Sequence, residues 1–159
     1  MINYLSAVLF VKDIQISKQF YTDILEMEPE MDFGKNIGFK NGLSIWEIRP
    51  DHIISNKSVS DQRINNCEFY FETDDLRGTF EKIKTKGIEF MHEIHEEPWG
   101  QMTIRFYDPD RHLIEIGETM EAFVLRFYYQ KLSVEEISAR THIPVNVVEQ
   151  IIQNTQIFH

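Results

Sequence analysis

The sequence is poor in cysteine, in positive charge and in long apolar runs, and each shortage excludes a class of protein. Its 159 residues include one cysteine, Cys67, so neither a disulfide framework nor a multi-thiolate metal site can form within the chain. The 16 lysines and arginines against 26 aspartates and glutamates give a formal net charge of −10, which argues against nucleic-acid binding. The longest apolar run, Ala7 to Val11, has five residues, whereas a membrane span needs about 20.

These absences predict where the protein works and what it does not bind. A chain with a single cysteine suits a reducing compartment. The residues after Met1 lack the basic stretch and apolar core of a signal peptide, so we expect none. We therefore expect a cytoplasmic protein with neither nucleic-acid nor membrane partners.

What the sequence does contain is an internal repeat. An alternating segment that ends at Val11 is followed by Asp13 and then by a helical pattern of apolar residues. The same order of alternating segment, aspartate and helical pattern recurs 62 residues later, with Asp75 as the aspartate. Both aspartates are predicted to cap the helices that follow them, because a short carboxylate can accept hydrogen bonds from the free N–H groups of the first turn. Gly87 is expected to end the second helix.

The two repeats also end alike, on Leu43 to Ile48 and on Leu113 to Ile116, each with a glutamate in the same position. The pattern predicts an α+β fold made of two β-α-β-β-β repeats. Repeat one spans about residues 3–49, a polar linker spans 50–66, and repeat two spans 67–118.

The remaining residues, 119–159, predict a three-helix tail that resembles a helix-turn-helix. Ser133 and Glu136 have the spacing of a capping box, and Pro144 suits the start of the last helix. The tail's charged residues sum to −1, so it offers no basic face for DNA. We expect it to cap the repeats, close the cup or build a dimer.

Four segments resemble the vicinal oxygen chelate superfamily, which holds glyoxalase I, bleomycin- and fosfomycin-resistance proteins and extradiol dioxygenases. They are Phe10-Val-Lys-Asp-Ile14 with Phe20-Tyr21, Phe71-Glu-Thr-Asp-Asp-Leu76, Pro98-Trp-Gly100, and Arg105-Phe-Tyr-Asp-Pro-Asp-Arg-His-Leu-Ile-Glu115. The resemblance covers residues 3–118 and implies a cupped, barrel-like mixed sheet, a metal and small molecule in the cup, and a homodimer. Arg111 stands where the family usually has glycine.

The resemblance places the family's four metal-ligand positions on Ser6, Glu47, Glu68 and Glu115. Ser6 is not expected to bind metal, because a hydroxyl is a weak ligand, and the two usual histidines are missing. Three carboxylates suit Mg²⁺ or Mn²⁺ better than Zn²⁺. The alternative is a cup without metal. In a metal-dependent enzyme, Glu115 or Glu47 would be the catalytic group that moves a proton.

Strand alternation adds the substrate-binding candidates Phe10, Tyr70 and Arg105, with Trp99 on a loop. Arg105 is predicted to pair with a glutamate in the cup or to anchor an acidic substrate. His92 and His95 are expected on opposite faces of a strand.

Two functions remain open. The first is a metal-dependent lyase or isomerase of the lactoylglutathione lyase type. The second is a metal-free, drug-resistance-type protein that sequesters a ligand and whose negative charge attracts cations.

Overall fold

The computed structural model describes the backbone of residues 3, 5–48, 50 and 64–157, and the side chains of all of these except 64–66 and 156–157. Most of the predicted linker, residues 51–63, lies outside the described residues. The strands are β1 (Ala7–Val11), β2 (Pro29–Asp32), β3 (Asn36–Phe39), β4 (Leu43–Glu47), β5 (Ile64–Thr73), β6 (Phe90–Glu96), β7 (Met102–Tyr107) and β8 (His112–Glu118). The helices are α1 (Ile14–Asp23), α2 (Leu76–Lys84), α3 (Met120–Tyr129), α4 (Val134–Thr141) and α5 (Val145–Ile157).

Both predicted repeats are confirmed in element order, and each forms its own four-stranded sheet. The strand orders are β1-β4-β3-β2 and β5-β8-β7-β6. In the first sheet β1 pairs with β4 in parallel, while β3 pairs antiparallel with both β4 and β2. The α+β class is therefore correct, and the described strands form two sheets.

The chain divides into two compact units that do not follow the repeats strictly. The first unit contains Met1–Cys67 and the turn segment Tyr107–Leu113; the second contains Glu68–Phe106 and Ile114–His159. The division of the chain into a domain that ends at residue 118 and a tail that begins at residue 119 thus stays a prediction.

In the first unit, α1 covers one face of the β1-β4-β3-β2 sheet. Asp13 caps the helix as predicted, accepting hydrogen bonds from the N–H groups of Gln15 and Ile16. The core between the helix and the sheet consists of fully or almost fully buried side chains, among them Val11, Tyr21, Ile37 and Ile45.

The turn between β7 and β8 is fastened into the first unit by a buried carboxylate. Asp108 Oδ2 accepts hydrogen bonds from Tyr21 Oη and His112 Nδ1, both at 2.8 Å. Its Oδ1 accepts from the backbone N–H groups of Asp110 and His112, at 2.9 and 2.8 Å. Arg111 adopts a φ of 71°, so it has the glycine-like conformation that the sequence implied.

In the second unit, α2 packs on the second sheet through Phe80 and Ile83. Asp75 caps this helix by accepting from the N–H of Gly78, at 2.9 Å. Gly87, three residues past the helix, has a φ of 68°, in agreement with its predicted role. Phe90 joins Phe80 to Phe106 by edge-on ring contacts.

The predicted three-helix tail is present, and we call α3, α4 and α5 the appendage. Its helices share a core, which comprises Phe123, Val124, Phe127, Ile137, Ile143, Val148, Ile151 and Ile152. Ser133 and Glu136 form the predicted capping box, and His142 ends α4 with a φ of 61°. Within the described part of the chain, no helix is both long enough and apolar enough to cross a membrane.

Candidate functional site

Three carboxylates meet the guanidinium of Arg105 on one face of the second sheet. Arg105 Nε lies 2.9 Å from Glu68 Oε2, and its Nη1 lies 2.7 Å from Glu97 Oε1. Its Nη2 contacts Glu115 Oε2. Glu68 on β5, Arg105 on β7 and Glu115 on β8 extend to the same side of the sheet, since one guanidinium contacts both carboxylates. The predicted pairing of Arg105 with cup glutamates is confirmed, and we call these four residues the Arg105 cluster.

The cluster is shielded from water to different degrees. The Glu115 side chain is 5% exposed, whereas that of Glu68 is 36% exposed. Burial alone would lower the pKa of Arg105, but the hydrogen bonds to Glu68 and Glu97 and the charge of Glu115 raise it above its usual value. Burial would raise the pKa of Glu97, but the hydrogen bonds from Arg105 and Thr103 lower it. Arg105 and Glu97 therefore form a stable charged pair.

Glu115 behaves differently from its neighbours in the cluster. Burial raises the pKa of Glu115 to about 7; Arg105 opposes the rise, and the nearby carboxylates of Glu68 and Glu97 reinforce it. A carboxyl group with such a pKa exchanges its proton near neutral pH, which suits either proton transfer or a pH-dependent change of charge.

The raised pKa of Glu115 predicts how stability depends on pH. The folded protein holds the proton more tightly than the unfolded chain, so this group's contribution to stability is fully present below about pH 4.5 and is lost as the pH rises through about 7. Glu115→Gln removes the ionisation. We expect the variant to exceed the wild type by on the order of 1–2 kcal/mol at pH 8 and to match it at pH 5. Urea unfolding at both pH values tests this; equal differences at both would contradict it.

Two histidines adjoin the cluster, and their arrangement differs from the sequence expectation. Irregularities in the pairing of β6 with β7 place His92 opposite Arg105 and His95 opposite Thr103. The two rings lie 5.5 Å apart, so the expectation that they occupy opposite faces was wrong; a bulge shifts the alternation. His92 Nε2 lies 3.2 Å from Arg105 Nη1 and its Nδ1 lies 2.7 Å from the Glu93 carbonyl oxygen. Because arginine can only donate, His92 accepts through Nε2 and donates through Nδ1.

A second polar chain extends the site toward a loop. Gln101 Nε2 donates to the Tyr70 hydroxyl at 2.8 Å, and the hydroxyl donates to Glu72 at 2.9 Å. Trp99 Nε1 donates to Gln101 Oε1 at 3.1 Å. Tyr70 and Trp99 are 48% and 40% exposed, so two of the three predicted substrate-binding aromatics present accessible surface, both in the second unit.

The predicted residues of the first unit do not share one face. Phe10 stands in register with Trp46, and their rings lie 6.1 Å apart. Glu47 is in register with buried Val11 and so lies on the helix side of the sheet. Glu47 therefore faces away from Phe10, contrary to the expectation that both residues line the cup.

The contacts of Glu47 explain its orientation. Glu47 Oε2 accepts from the N–H of Ile14 at 2.9 Å, at the start of α1, and Oε1 pairs with Lys35. The Lys35 and Ile14 hydrogen bonds lower the pKa of Glu47. These contacts assign Glu47 to the anchoring of α1.

The open face of the first sheet holds a cleft of about 350 Å³. Ser6, Val8, Met31 and Ser44 contribute to its lining. Ser6 Oγ lies 3.5 Å from Ser44 Oγ, at the limit of a hydrogen bond. Ser6 thus lies at an accessible surface. Among the described residues that line the cleft, none is a glutamate of the predicted ligand set.

Comparison with known proteins identifies the family. A family model described as a glyoxalase-like domain matches residues 4–121. The chain belongs to the glyoxalase-like family. A protein of unknown function from Agrobacterium tumefaciens str. C58 is 35% identical, with 76% of this chain and 96% of that chain covered and a TM-score of 0.64.

Two further relatives of this glyoxalase-like chain carry names. YetH of Bacillus subtilis (strain 168) is 29% identical over 121 residues, covering 71% of this chain and 95% of its own. The fosfomycin resistance protein FosX from Listeria monocytogenes, in complex with Mn(II) and sulfate, is 27% identical, with 80% of this chain and 99% of that chain covered and a TM-score of 0.59. A structure of a point mutant of the same FosX is in complex with Mn(II) and 1S,2S-dihydroxypropylphosphonic acid.

The residues of this glyoxalase-like protein do not suit a resident metal in the arrangement observed. Among the residues that the structure describes, no group of three or more His, Cys, Asp or Glu side chains is placed to hold a metal ion. Glu68 and Glu115, two of the predicted ligands, do come together, but both carboxylates are engaged by the Arg105 guanidinium. A divalent cation could bind both carboxylates only after Arg105 had moved away.

Glu97 is a member of the site that was not predicted from the sequence. Glu97 Oε1 accepts from both Arg105 Nη1 and Thr103 Oγ1, at 2.7 and 3.1 Å. The available signal was its position next to the Pro98-Trp-Gly100 turn, which folds β6 back on β7 and brings Glu97 level with the inward residues of β7.

Proposed function

We propose that this glyoxalase-like protein binds a cationic small molecule on the face of the Arg105 cluster and does so without a divalent metal. The observation that carries the proposal is that one guanidinium contacts Glu68, Glu97 and Glu115 together. A positive charge built into the chain thus stands among the carboxylates that would otherwise attract a metal ion. We further propose that the protein is a homodimer, as the family resemblance implies.

The charge of the site favours a cation over an anion. Glu68, Glu72, Glu97 and Glu115 surround this face, against the single positive charge of Arg105. Since three carboxylates already contact the guanidinium, few of its donors remain for an anionic ligand. The accessible rings of Tyr70 and Trp99 add surfaces on which an ammonium or guanidinium group can stack.

A second candidate is the metal-dependent lyase or isomerase predicted from the sequence. The pKa of Glu115, about 7, favours it, because a general base works best when its pKa lies near the working pH. The Mn(II) in the FosX structures adds support. This candidate requires Arg105 to leave Glu68 and Glu115, and a metal would then supply charge stabilisation to the substrate.

A thermal-shift comparison in low salt with EDTA tests the first proposal. We expect spermidine and a cationic glycopeptide to raise Tm by about 3–5 °C at ten times Kd, and neutral or phosphonate compounds to leave it unchanged. Glu97→Gln should weaken the effect. Glu93→Gln is the matched control, because Glu93 lies on the neighbouring strand but is exposed and pairs with Lys84.

Two outcomes would contradict metal-free cation binding. One is the absence of stabilisation by any cationic compound. The other is stoichiometric Mn²⁺ or Mg²⁺ in protein purified without chelators, which would favour the second candidate.

A further inference from the structure

We infer that the C-terminal appendage positions the ligand-binding loop, with Arg126, Phe127 and Arg140 as positioning residues. The loop is Glu96–Gln101, which joins β6 to β7. The inference deepens the proposed function, since the loop carries Glu97 of the Arg105 cluster and Gln101 of the Tyr70 chain. Its structural part, the fixing of the loop, can be tested even if the proposed ligand is wrong.

Arg126 of α3 ties the loop to the end of β8. Its Nη2 donates to the carbonyl oxygen of Gly100 at 2.6 Å. Its Nε and Nη2 donate to the two carboxylate oxygens of Glu118, both at 2.9 Å. Glu118 Oε2 also accepts from the N–H of Met102, at 2.9 Å, where β7 begins. A bidentate, charge-assisted pair of this kind fixes both partners in direction as well as in distance.

Phe127 sets how closely the loop can approach the appendage. Gly100 has a φ of 95°, and a Cβ atom there would lie 2.7 Å from Phe127 Cζ. No side chain therefore fits between the loop backbone and the ring. The guanidinium carbons of Arg126 and Arg140 lie 4.6 and 4.7 Å from the centre of the same ring, and Arg140 pairs with Glu96 at the start of the loop.

The loop passes this restraint on to the site. Its own backbone is closed by hydrogen bonds from Glu97 N to Gln101 O and from Gly100 N to Glu97 O, at 2.9 and 2.8 Å. At one end Glu97 contacts Arg105; at the other, Gln101 Nε2 donates to Tyr70 and to the carbonyl oxygen of Glu118. A loop anchored at Glu96 and Gly100 therefore fixes both side chains that reach the site.

The positioning residues lie outside the segment that the family model matches. The family model ends at residue 121, so all three positioning residues lie beyond the matched region. The loop, in contrast, lies within it. The loop therefore belongs to the region that the family model matches, whereas the residues that position it belong to a segment outside that region.

The test compares Arg126→Gln, Arg140→Gln and their double variant with Arg77→Gln, which removes an exposed charge on α2. Hydrogen exchange of the Gly100 and Met102 amides reports on the loop, and titration calorimetry with spermidine reports on the site. We expect exchange to accelerate about tenfold and spermidine Kd to rise about fivefold in the double variant. Arg140→Lys retains the charge opposite Glu96. Both the acceleration of exchange and the rise in spermidine Kd should therefore be smaller in Arg140→Lys than in Arg140→Gln. The Arg140 side chain is 48% exposed, so we expect the single Arg140 variants to retain the fold.

A double-mutant cycle separates positioning from a general loss of stability. If the appendage acts through Glu97, the effect of Arg126→Gln on spermidine Kd should largely disappear in a Glu97→Gln background. An unchanged effect in that background would overturn the inference, as would loop exchange equal to that of Arg77→Gln. If the wild type binds no spermidine but loop exchange still accelerates, the proposed function fails and the positioning of the loop stands.

Discussion

Replacing Arg105 with methionine should destabilise the protein by about 3 kcal/mol at pH 8, because it leaves a group of partly buried carboxylates without their cation. Methionine retains much of the side-chain volume, so the loss reports mainly on charge. Glu115 is the most affected, since its side chain is 5% exposed and Glu68 and Glu97 lie nearby.

The same variant should recover stability in two ways. At pH 5 the loss should shrink, because the clustered carboxyl groups can take up protons in place of the lost positive charge. At pH 8, millimolar Mn²⁺ should restore part of the stability, because the vacated position between Glu68 and Glu115 then offers hard oxygen ligands to a metal ion.

Guanidinium unfolding curves at both pH values, with and without MnCl₂, measure these effects. Lys84→Met serves as the control, because it removes an exposed cation that pairs with Glu93. It should cost less than about 1 kcal/mol and show no response to Mn²⁺. A loss for Arg105→Met that is the same at pH 5 and pH 8 would show that the carboxylates do not depend on Arg105.

Asp108→Asn should lower the free energy of unfolding by about 2–4 kcal/mol. The carboxylate is fully buried and accepts four hydrogen bonds, and an amide nitrogen in place of one oxygen would face donors from Tyr21 and His112. Tyr21→Phe removes one donor and should cost about 1 kcal/mol. Asp23→Asn, at the exposed end of α1, should have little effect.

The Asp108 variant should also change the pH dependence of stability. Burial would lower the pKa of His112, but the hydrogen bond to Asp108 and the charges of Asp108 and Asp110 raise it. The stability that this pair contributes is therefore fully present below about pH 6.5 and is lost as the pH rises through the folded-state pKa. NMR titration of the imidazole should show a lower pKa in Asp108→Asn. An unchanged imidazole pKa would refute the coupling.

Local signals in the sequence predicted local structure well. The carboxylates of Asp13 and Asp75 and the Ser133–Glu136 pair cap helices as expected, because capping depends on a few neighbouring residues. The pairing of Arg105 with cup glutamates was also predictable, since parity along a regular strand fixes which side chains share a face.

Features that depend on register or on distant segments were not predictable. Glu47 occupies a position that matches Glu115 in the repeat, yet it faces α1, because its parity follows the pairing of β4 with β1. The bulges of β6 bring His92 and His95 together against simple alternation. Glu97 owes its position to a loop held by the appendage, a contact between segments that no local pattern records.

The hydrogen bond from Tyr21 to Asp108 connects residues 87 apart in the chain, whereas the β1–β4 pairing joins Ala7 to Leu43. Closing this loop costs more entropy than closing the shorter one between Ala7 and Leu43, so we expect the contact to form after the nearer pairing. A contact absent from the folding transition state slows unfolding and leaves the folding rate almost unchanged. We therefore expect the buried carboxylate of Asp108 to act on the lifetime of the folded first unit, so that Asp108→Asn raises the unfolding rate more than it lowers the folding rate.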